Sequence, residues 1–257
     1  MNDETDSSGI VKSSERLLRI IEYLRKNDGM GVTELADEME MSKSAVHKHL
    51  QTLVADNYVK NEDGRYELGF KFLTIGGQIR DQDLLCQFAR SAVRKLDNQT
   101  DQNTAFVVRE GEYGIFACVS SDRYGLRETV PLGNRYPLHQ NASGKAILAT
   151  LPDKEVEQII DATELPQKTA NTITDRTALF DELETISERG YATSEAERID
   201  GVLSVAAPVE APKSNRVGAL TLAGPNNEQL KRKVDEEYAE TVIEIANELE
   251  LQLMYQH

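Results

Sequence analysis

"VTELADEMEMSKSAVHKHLQTLVADN" runs from Val32 to Asn57 and holds two short helical patterns with a tight break between them. In the first, "TELADEM", Leu35, Ala36 and Met39 share a side, and Thr33 is the expected cap. Glu40 and Met41 make the turn. Ser42 caps the second helix, in which Val46, Leu50 and Leu53 recur at spacings of 4 and 3. Ala36 is small where the two helices would cross. Two short helices joined this way predict a helix-turn-helix.

The flanks extend the motif. Upstream, "KSSERLLRIIEYLRKNDG" (Lys12–Gly29) sets Leu17, Leu18, Ile20, Ile21 and Leu24 on one stripe. Ser13 or Ser14 is the expected cap, and Asn27 to Gly29 the end. Downstream, "YVKNEDGRYEL" (Tyr58–Leu68) carries Asp63-Gly64, a hairpin turn pair. A hairpin after the third helix makes the unit a winged helix-turn-helix.

Charge tests this reading. The chain of 257 residues has a net charge of −15, which by itself argues against a nucleic-acid partner. Yet no acidic residue lies between Met41 and Ala55. With Val46 and Leu50 turned inward, Lys43, Ser44, His47 and Lys48 face outward from the first two turns. Those are the positions a recognition helix offers to the major groove. The N–H groups beside Ser42 can meet a phosphate, and Arg65 at the wing can reach backbone or minor groove. A structural or protein-binding winged module is the blander alternative. His47 and His49, two apart on a helix, point away from each other and are poor metal ligands.

Past "LGFKFLTIGG" the Gly76-Gly77 pair is read as a break. "DQDLLCQFARSAVRKLDNQT" (Asp81–Thr100) then forms a linker helix capped by Asp81 or Asp83, with Leu84, Leu85, Phe88, Val93 and Leu96 apolar. From about Asn103 the pattern turns to strands in "TAFVVR", "GIFACVS" and "RETVPL". Helices are expected at about 142–151, 153–162 and 176–189, the last capped by Asp175 and ended by Gly190. "VLSVAAPVE" and "RVGALTLAG" form a hairpin through "APKSN", and a closing helix spans about 228–255. Strands, helices, strands and a helix predict an α+β sheet domain covered by helices. The expected divisions are a disordered tail at 1–10, the winged domain at 11–77, the linker helix at 78–100 and the second domain at 101–257.

"PLHQNASGKAILA" (Pro137–Ala149) contains Gly144-Lys145, which raises the question of a nucleotide phosphate loop. That loop needs Gly-x-x-x-x-Gly-Lys-Ser/Thr. Here His139 occupies the first Gly position and Ala146 the hydroxyl position. What remains is a loop entering a helix, with two open roles. It can offer N–H groups to a small acceptor, or Asn141 or Ser143 caps the helix while Gly144 permits close packing. Cys86 and Cys118 form no framework or metal spacing, which implies a reducing, cytoplasmic setting. No metal or other cofactor is expected. No apolar run reaches the roughly 20 residues of a membrane helix, and "MNDETDSSG" is not a signal peptide.

With these segments in hand, nearly the whole chain, from about Val11 to Leu253, resembles the IclR-type transcriptional regulators. The likeness rests on the quoted helix-turn-helix followed by "RYELG", on "PLHQNASGKAILA", on "ERGYATSEAERIDGVLSVAAPV" and on "VGALTLAGP". The resemblance implies an operator-binding winged domain, a GAF-like α/β effector-binding domain and a homodimer or dimer of dimers. It places the effector, a sugar acid, keto acid or aromatic acid, near Tyr136, Asn141, Ala142, Ser143, Ser194, Ser204, Thr221 and Ala223. Departures from the pattern include Met41, Ala45 and Lys48 in the DNA-reading part, and Ser194 and Ala223 in the pocket. The acid excess resembles haloarchaeal members, which implies high intracellular salt.

Two functions of other kinds stand beside a metabolite-controlled regulator. One is a regulator without ligand that acts through oligomerisation. The other is an enzyme using Cys118 as nucleophile and His139 as base. The enzyme reading lacks a third orienting group, and Cys118 sits where a small buried residue is expected.

Overall fold

The computed structural model describes residues 9–120, 132–211, 213 and 216–255. Its chain divides into two units, Met1–Ile79 and Arg80–His257. In the first, α1 (Lys12–Lys26), β1 (Met30–Gly31), α2 (Val32–Glu38) and α3 (Lys43–Ala55) precede a hairpin of β2 (Val59–Glu62) and β3 (Arg65–Leu68). Ile20, Leu24, Leu35, Ala36, Val46, Leu50 and Leu53 close one core with Val59 and Tyr66. Each buried Leu or Ile contributes on the order of 1.5–3 kcal/mol, so the apolar spacing in the sequence is what assembles the unit. At the hairpin turn Asp63 and Gly64 have φ of 51° and 84°, the paired positive values a two-residue turn requires. Asn61 Oδ1 accepts from Gly64 N at 3.0 Å and holds that turn.

Three local expectations are corrected. Val11, not Ser13 or Ser14, precedes α1, and no side chain caps it. α2 starts after Gly31, whose N–H donates to Glu34 Oε2 at 2.7 Å, so Thr33 lies inside the helix. The cause is tertiary: Met30 and Gly31 pair with Tyr66 and Arg65, which sets where the chain turns into α2. Leu18 is 62% exposed rather than in the core.

Gly76-Gly77 does not break the helix either. α4 (Lys71–Gln82) runs through both glycines. The interruption comes at Asp83, whose Oδ1 accepts from Cys86 N at 3.0 Å and caps α5 (Leu84–Thr100). A side-chain acceptor gives the chain a defined new helix start, whereas glycine only weakens a helix.

The second unit continues with β4 (Asn103–Glu110), β5 (Tyr113–Val119) and β6 (Arg135–Pro137). Then come α6 (Ala142–Leu148), α7 (Asp153–Thr163), α8 (Arg176–Arg189), β7 (Ala192–Glu195), β8 (Val202–Ala211) and β9 (Arg216–Pro225). α9 (Glu228–Lys233) passes through a π-helical turn at Val234–Tyr238 into α10 (Ala239–Met254). The six strands form an antiparallel sheet in the order β6-β5-β4-β9-β8-β7. α5 and α10 pack on one face around Phe106, Val205 and Leu220. α6, α7 and α8 cover the other face around Val107, Ala206 and Ala219. The expected strand "RETVPL" lies, apart from Leu132, outside the described residues. Periodicity did not mark β6 or β7, because three and four residues carry too little of it to register.

One irregularity decides which side chains meet. Phe106 pairs with Cys118 but Val107 pairs with Phe116, so Ala117 is an extra residue on β5. Strict alternation would put Phe116 and Cys118 on one face. The bulge sends Phe116 to the α6 face and Cys118 to the α5 face.

Candidate functional site

In the first unit, α3 presents its outer side as the sequence pattern requires. Ser42 Oγ accepts from Ala45 N at 3.3 Å and caps the helix. Val46, Leu50 and Leu53 anchor it in the core, and Ser42, Lys43, Ser44, His47 and Lys48 are exposed. Gln51, one turn beyond His47, is exposed as well and extends the strip; its spacing from His47 was the available signal. Neither Lys43 nor Lys48 pairs with a carboxylate among the described residues, so both cationic heads face solvent. His49 is half-buried, and burial with nearby Arg16 lowers its pKa. Arg65 is exposed, but its Nη2 donates to Gly29 O at 2.9 Å, which ties it to the loop before β1.

In the second unit, a cross-strand row of side chains lines a cavity. Asn103, Ala223, Ser204 and Ser194 stand opposite one another across β4, β9, β8 and β7. Thr221 lies two residues from Ala223 on the same face, and Asn141 and Ser143 at the start of α6 close the opposite side. Phe116 and Val119 supply an apolar wall. The cavity has about 100 Å³ of room for a water-sized body, enough for roughly seven to ten waters.

The loop 137–149 answers the question its Gly-Lys raised. A Cβ on Gly144 would lie 1.9 Å from Leu138 O, so only glycine lets α6 pack here. Asn141 Oδ1 accepts from Gly144 N at 2.9 Å and from Ser143 Oγ at 3.1 Å. Asn141 thus caps the helix and also faces the cavity. Lys145 faces no ligand space. It is 1% exposed, and its Nζ meets Glu197 at 2.8 Å and Glu182 at 3.1 Å. Arg189 sits 3.6 Å from Glu182, so two cations balance two carboxylates. Burial nonetheless pushes the Glu197 carboxyl pKa up, against the pull of Lys145. Its Oε2 has no donor among the described residues.

Six of the eight pocket positions named from sequence line this cavity: Asn141, Ser143, Ser194, Ser204, Thr221 and Ala223. Tyr136 and Ala142 are buried behind it. Tyr136 hydrogen-bonds Ser143 Oγ at 2.7 Å, and burial pushes its phenol up to about 12. Sequence reasoning missed Arg198, which lines the cavity from the loop after β7. Arg198 Nη1 donates to Gln140 Oε1 at 2.8 Å, and its guanidinium lies 4.6 Å above the Tyr136 ring. No carboxylate among the described residues pairs with it. A charged residue in an irregular loop gives no periodic signal, so nothing in the sequence marked it. The hydroxyls of Ser194 and Ser204 also lack partners among the described residues, while Thr221 Oγ1 is committed to Val205 O at 2.9 Å.

Cys118 and His139 are not brought together. Cys118 Sγ turns to Cys86 O at 3.8 Å, and His139 Nε2 to Pro166 O at 3.2 Å. Burial lowers the His139 pKa. Among the described residues no cluster of three metal-ligating side chains occurs, and no helix is long and apolar enough to cross a membrane.

Comparison with known proteins places both units. Residues 13–63 match the IclR helix-turn-helix domain and residues 78–251 the bacterial transcriptional regulator IclR C-terminal domain. A probable HTH-type transcriptional regulator, ArcR of Halobacterium salinarum, is 28% identical over 253 residues, covering 95% of this chain and 94% of that protein. The crystal structure of the Thermotoga maritima IclR superposes with a TM-score of 0.81 at 27% identity, covering 96% and 100% of the two chains. An IclR homologue from Microbacterium hydrocarbonoxydans, solved with 4-hydroxybenzoate, has the same fold at 19% identity and a TM-score of 0.79, covering 95% of this chain and 100% of that one. The chain therefore belongs to the IclR family: it is a transcriptional regulator with an N-terminal DNA-binding helix-turn-helix domain and a C-terminal effector-binding domain.

Proposed function

We propose that the cavity of the second unit takes a small hydroxylated carboxylate and that its occupancy sets the affinity of α3 for an operator. The observation that carries this is Arg198, a cation on the cavity wall with no carboxylate partner among the described residues. Glu197 also lines the cavity but is paired with Lys145, so among the described lining residues Arg198 is the charge without an opposite partner. An anion of one charge satisfies it, and a planar guanidinium suits a carboxylate. Ser194 and Ser204, whose hydroxyls have no partner among the described residues, would read hydroxyl groups on the same ligand. The room available fits a molecule of roughly ten non-hydrogen atoms. A sugar acid meets these demands better than an unsubstituted aromatic acid.

On the DNA side, Lys43 and Lys48 would contact phosphates or base edges, with Ser42, Ser44, His47 and Gln51 between them and Arg65 at the wing. Self-association supplies the second recognition helix. α4 has no buried residue, although Leu73 and Ile79 are 68% and 65% exposed and Phe70, just before it, 86%. An apolar helix of this kind calls for a partner, and a second copy of the chain is the partner a two-fold operator requires. The effector then acts by population shift, through its differential affinity for two arrangements of the dimer. Neither unit is read as an enzyme, since Cys118 and His139 each hold a different partner.

Thermal melting of the full chain with gluconate and glycerate, against sorbitol and glycerol, tests the ligand class. The acids raise the melting midpoint in a dose-dependent way and the polyols do not. Arg198→Gln weakens the acid effect at least tenfold, and Ser204→Leu abolishes it by filling the cavity. Equal shifts with acids and polyols rule out the carboxylate assignment, and an acid response that survives Ser204→Leu moves the site elsewhere.

A further inference from the structure

Cys86 and Cys118 are the only cysteines in the chain. They lie 32 residues apart, on α5 and β5, and the fold brings them into contact. Cys118 Sγ is 3.8 Å from Cys86 O, which sets the two cysteines side by side. Both are buried in the core between α5 and the sheet. A buried cysteine by itself is small apolar filler, so what matters here is the contact and its surroundings.

Those surroundings are polar and asymmetric. The charges of Arg80 and Arg90 act on Cys118, and that of Asp83 on both sulfurs. Asp83 is held by Arg216 at 2.6 Å, and Asp81 pairs with Arg90. The Nε of Arg80 is buried with no acceptor among the described residues; Asp81 at 3.8 Å is too far to serve. A buried N–H donor without an acceptor is uncommon in a native structure. The adjacent Cys86 lowers the Cys118 pKa, helped by the two arginines and opposed by burial and Asp83. The adjacent Cys118, burial and Asp83 push Cys86 up. The two sulfurs therefore sit in unequal surroundings, and a dithiol divides into an attacking and a resolving cysteine.

We propose that Cys86 and Cys118 are a redox-modifiable dithiol, oxidised by hydroperoxides to a disulfide that ties the first turn of α5 to β5. The Cys118 thiolate attacks the terminal oxygen of ROOH. The O–O bond breaks, and RO⁻ leaves and takes the proton that Cys118 gave up. Cys118 becomes a sulfenic acid. The Cys86 sulfur then attacks the Cys118 sulfur, an S–S bond forms, and hydroxide leaves as water with the Cys86 proton. Two thiols and one ROOH give one disulfide, ROH and H₂O, with the peroxide reduced by two electrons. The cross-link sits three residues past Asp83, where α4 gives way to α5.

The test treats the reduced, folded full-length protein with stoichiometric hydrogen peroxide, blocks free thiols with N-ethylmaleimide and measures intact mass. The wild type is expected to lose two hydrogens and take up no maleimide, and its melting midpoint rises by several degrees. Cys86→Ser traps the sulfenic acid, read as a dimedone adduct on Cys118, whereas Cys118→Ser leaves Cys86 as an unmodified thiol. Reduced melting curves of both serine variants and of the two alanine variants establish which are folded, and only folded variants are compared. Two maleimides on peroxide-treated wild type, or oxidation that occurs only in denaturant, overturns the proposal. A dimedone adduct on Cys86 in folded Cys118→Ser overturns the assigned roles.

Discussion

At the scale of single residues, the sharpest constraint is Gly144. A methyl group there would stand 1.9 Å from the Leu138 carbonyl oxygen, so Gly144→Ala must move backbone. We expect a loss of about 1–3 kcal/mol, the range for overpacked sites, read as a lower urea midpoint; an unchanged midpoint would show that α6 can slide at no penalty. Lys145 has a different consequence. Lys145→Met leaves Glu197 buried without its cation, which typically costs about 3–5 kcal/mol.

Glu197 also gives a pH dependence with a definite sign. Its folded pKa lies above the ordinary 4.5, so the native state holds the proton more tightly than the unfolded chain. Its stabilising contribution is present below pH 4.5 and is lost as pH rises through the folded value. Glu197→Gln should therefore flatten the stability profile above pH 4.5. A profile as steep as the wild type's would show that Glu197 is ionised at no penalty in the native protein.

At the scale of elements, α3 and α4 make separate predictions. Lys48→Ala should weaken operator binding and lower the slope of log affinity against log salt by about one, if Lys48 meets a phosphate. Far-ultraviolet circular dichroism should be unchanged, because the side chain is exposed and unpaired. Normal affinity in this variant would remove Lys48 from the interface. For α4, Leu73→Glu should shift sedimentation toward monomer, since a charge would enter the surface proposed to pair. A dimer of unchanged strength would move self-association to another face. How far each element could be foreseen differs. Val46, Leu50 and Leu53 announced α3 by spacing, because a helix side buried in one core repeats every three or four residues. Gly76-Gly77 misled, because a local propensity of about 1 kcal/mol per glycine yields to a capping acceptor such as Asp83. β6 and β7 stayed hidden because their pairing partners are distant in sequence.

Across the whole molecule the question is how a chain of charge −15 holds DNA. Its cationic surface on α3 is small, so few phosphates can be neutralised and few counterions released. The operator complex should therefore show a shallow dependence on potassium chloride and lean on shape and base contacts. A slope as steep as that of a strongly basic repressor would contradict this. In concentrated salt, bulk ions would screen the repulsion between this acidic surface and a duplex.

Order along the chain and local chemistry were enough to establish the helix-turn-helix, the hairpin at Asp63-Gly64, the caps at Ser42 and Asp175, and an α+β second domain. Each of these depends on residues close in sequence, whose spacing already encodes their geometry. Arg198 on the cavity wall, Lys145 turned away from it, and Cys118 beside Cys86 instead of His139 needed the assembled sheet. Their partners come from strands and loops far apart in the chain. A single extra residue at Ala117 reverses the face that Cys118 presents, and alternation in a sequence cannot reveal where such a bulge falls.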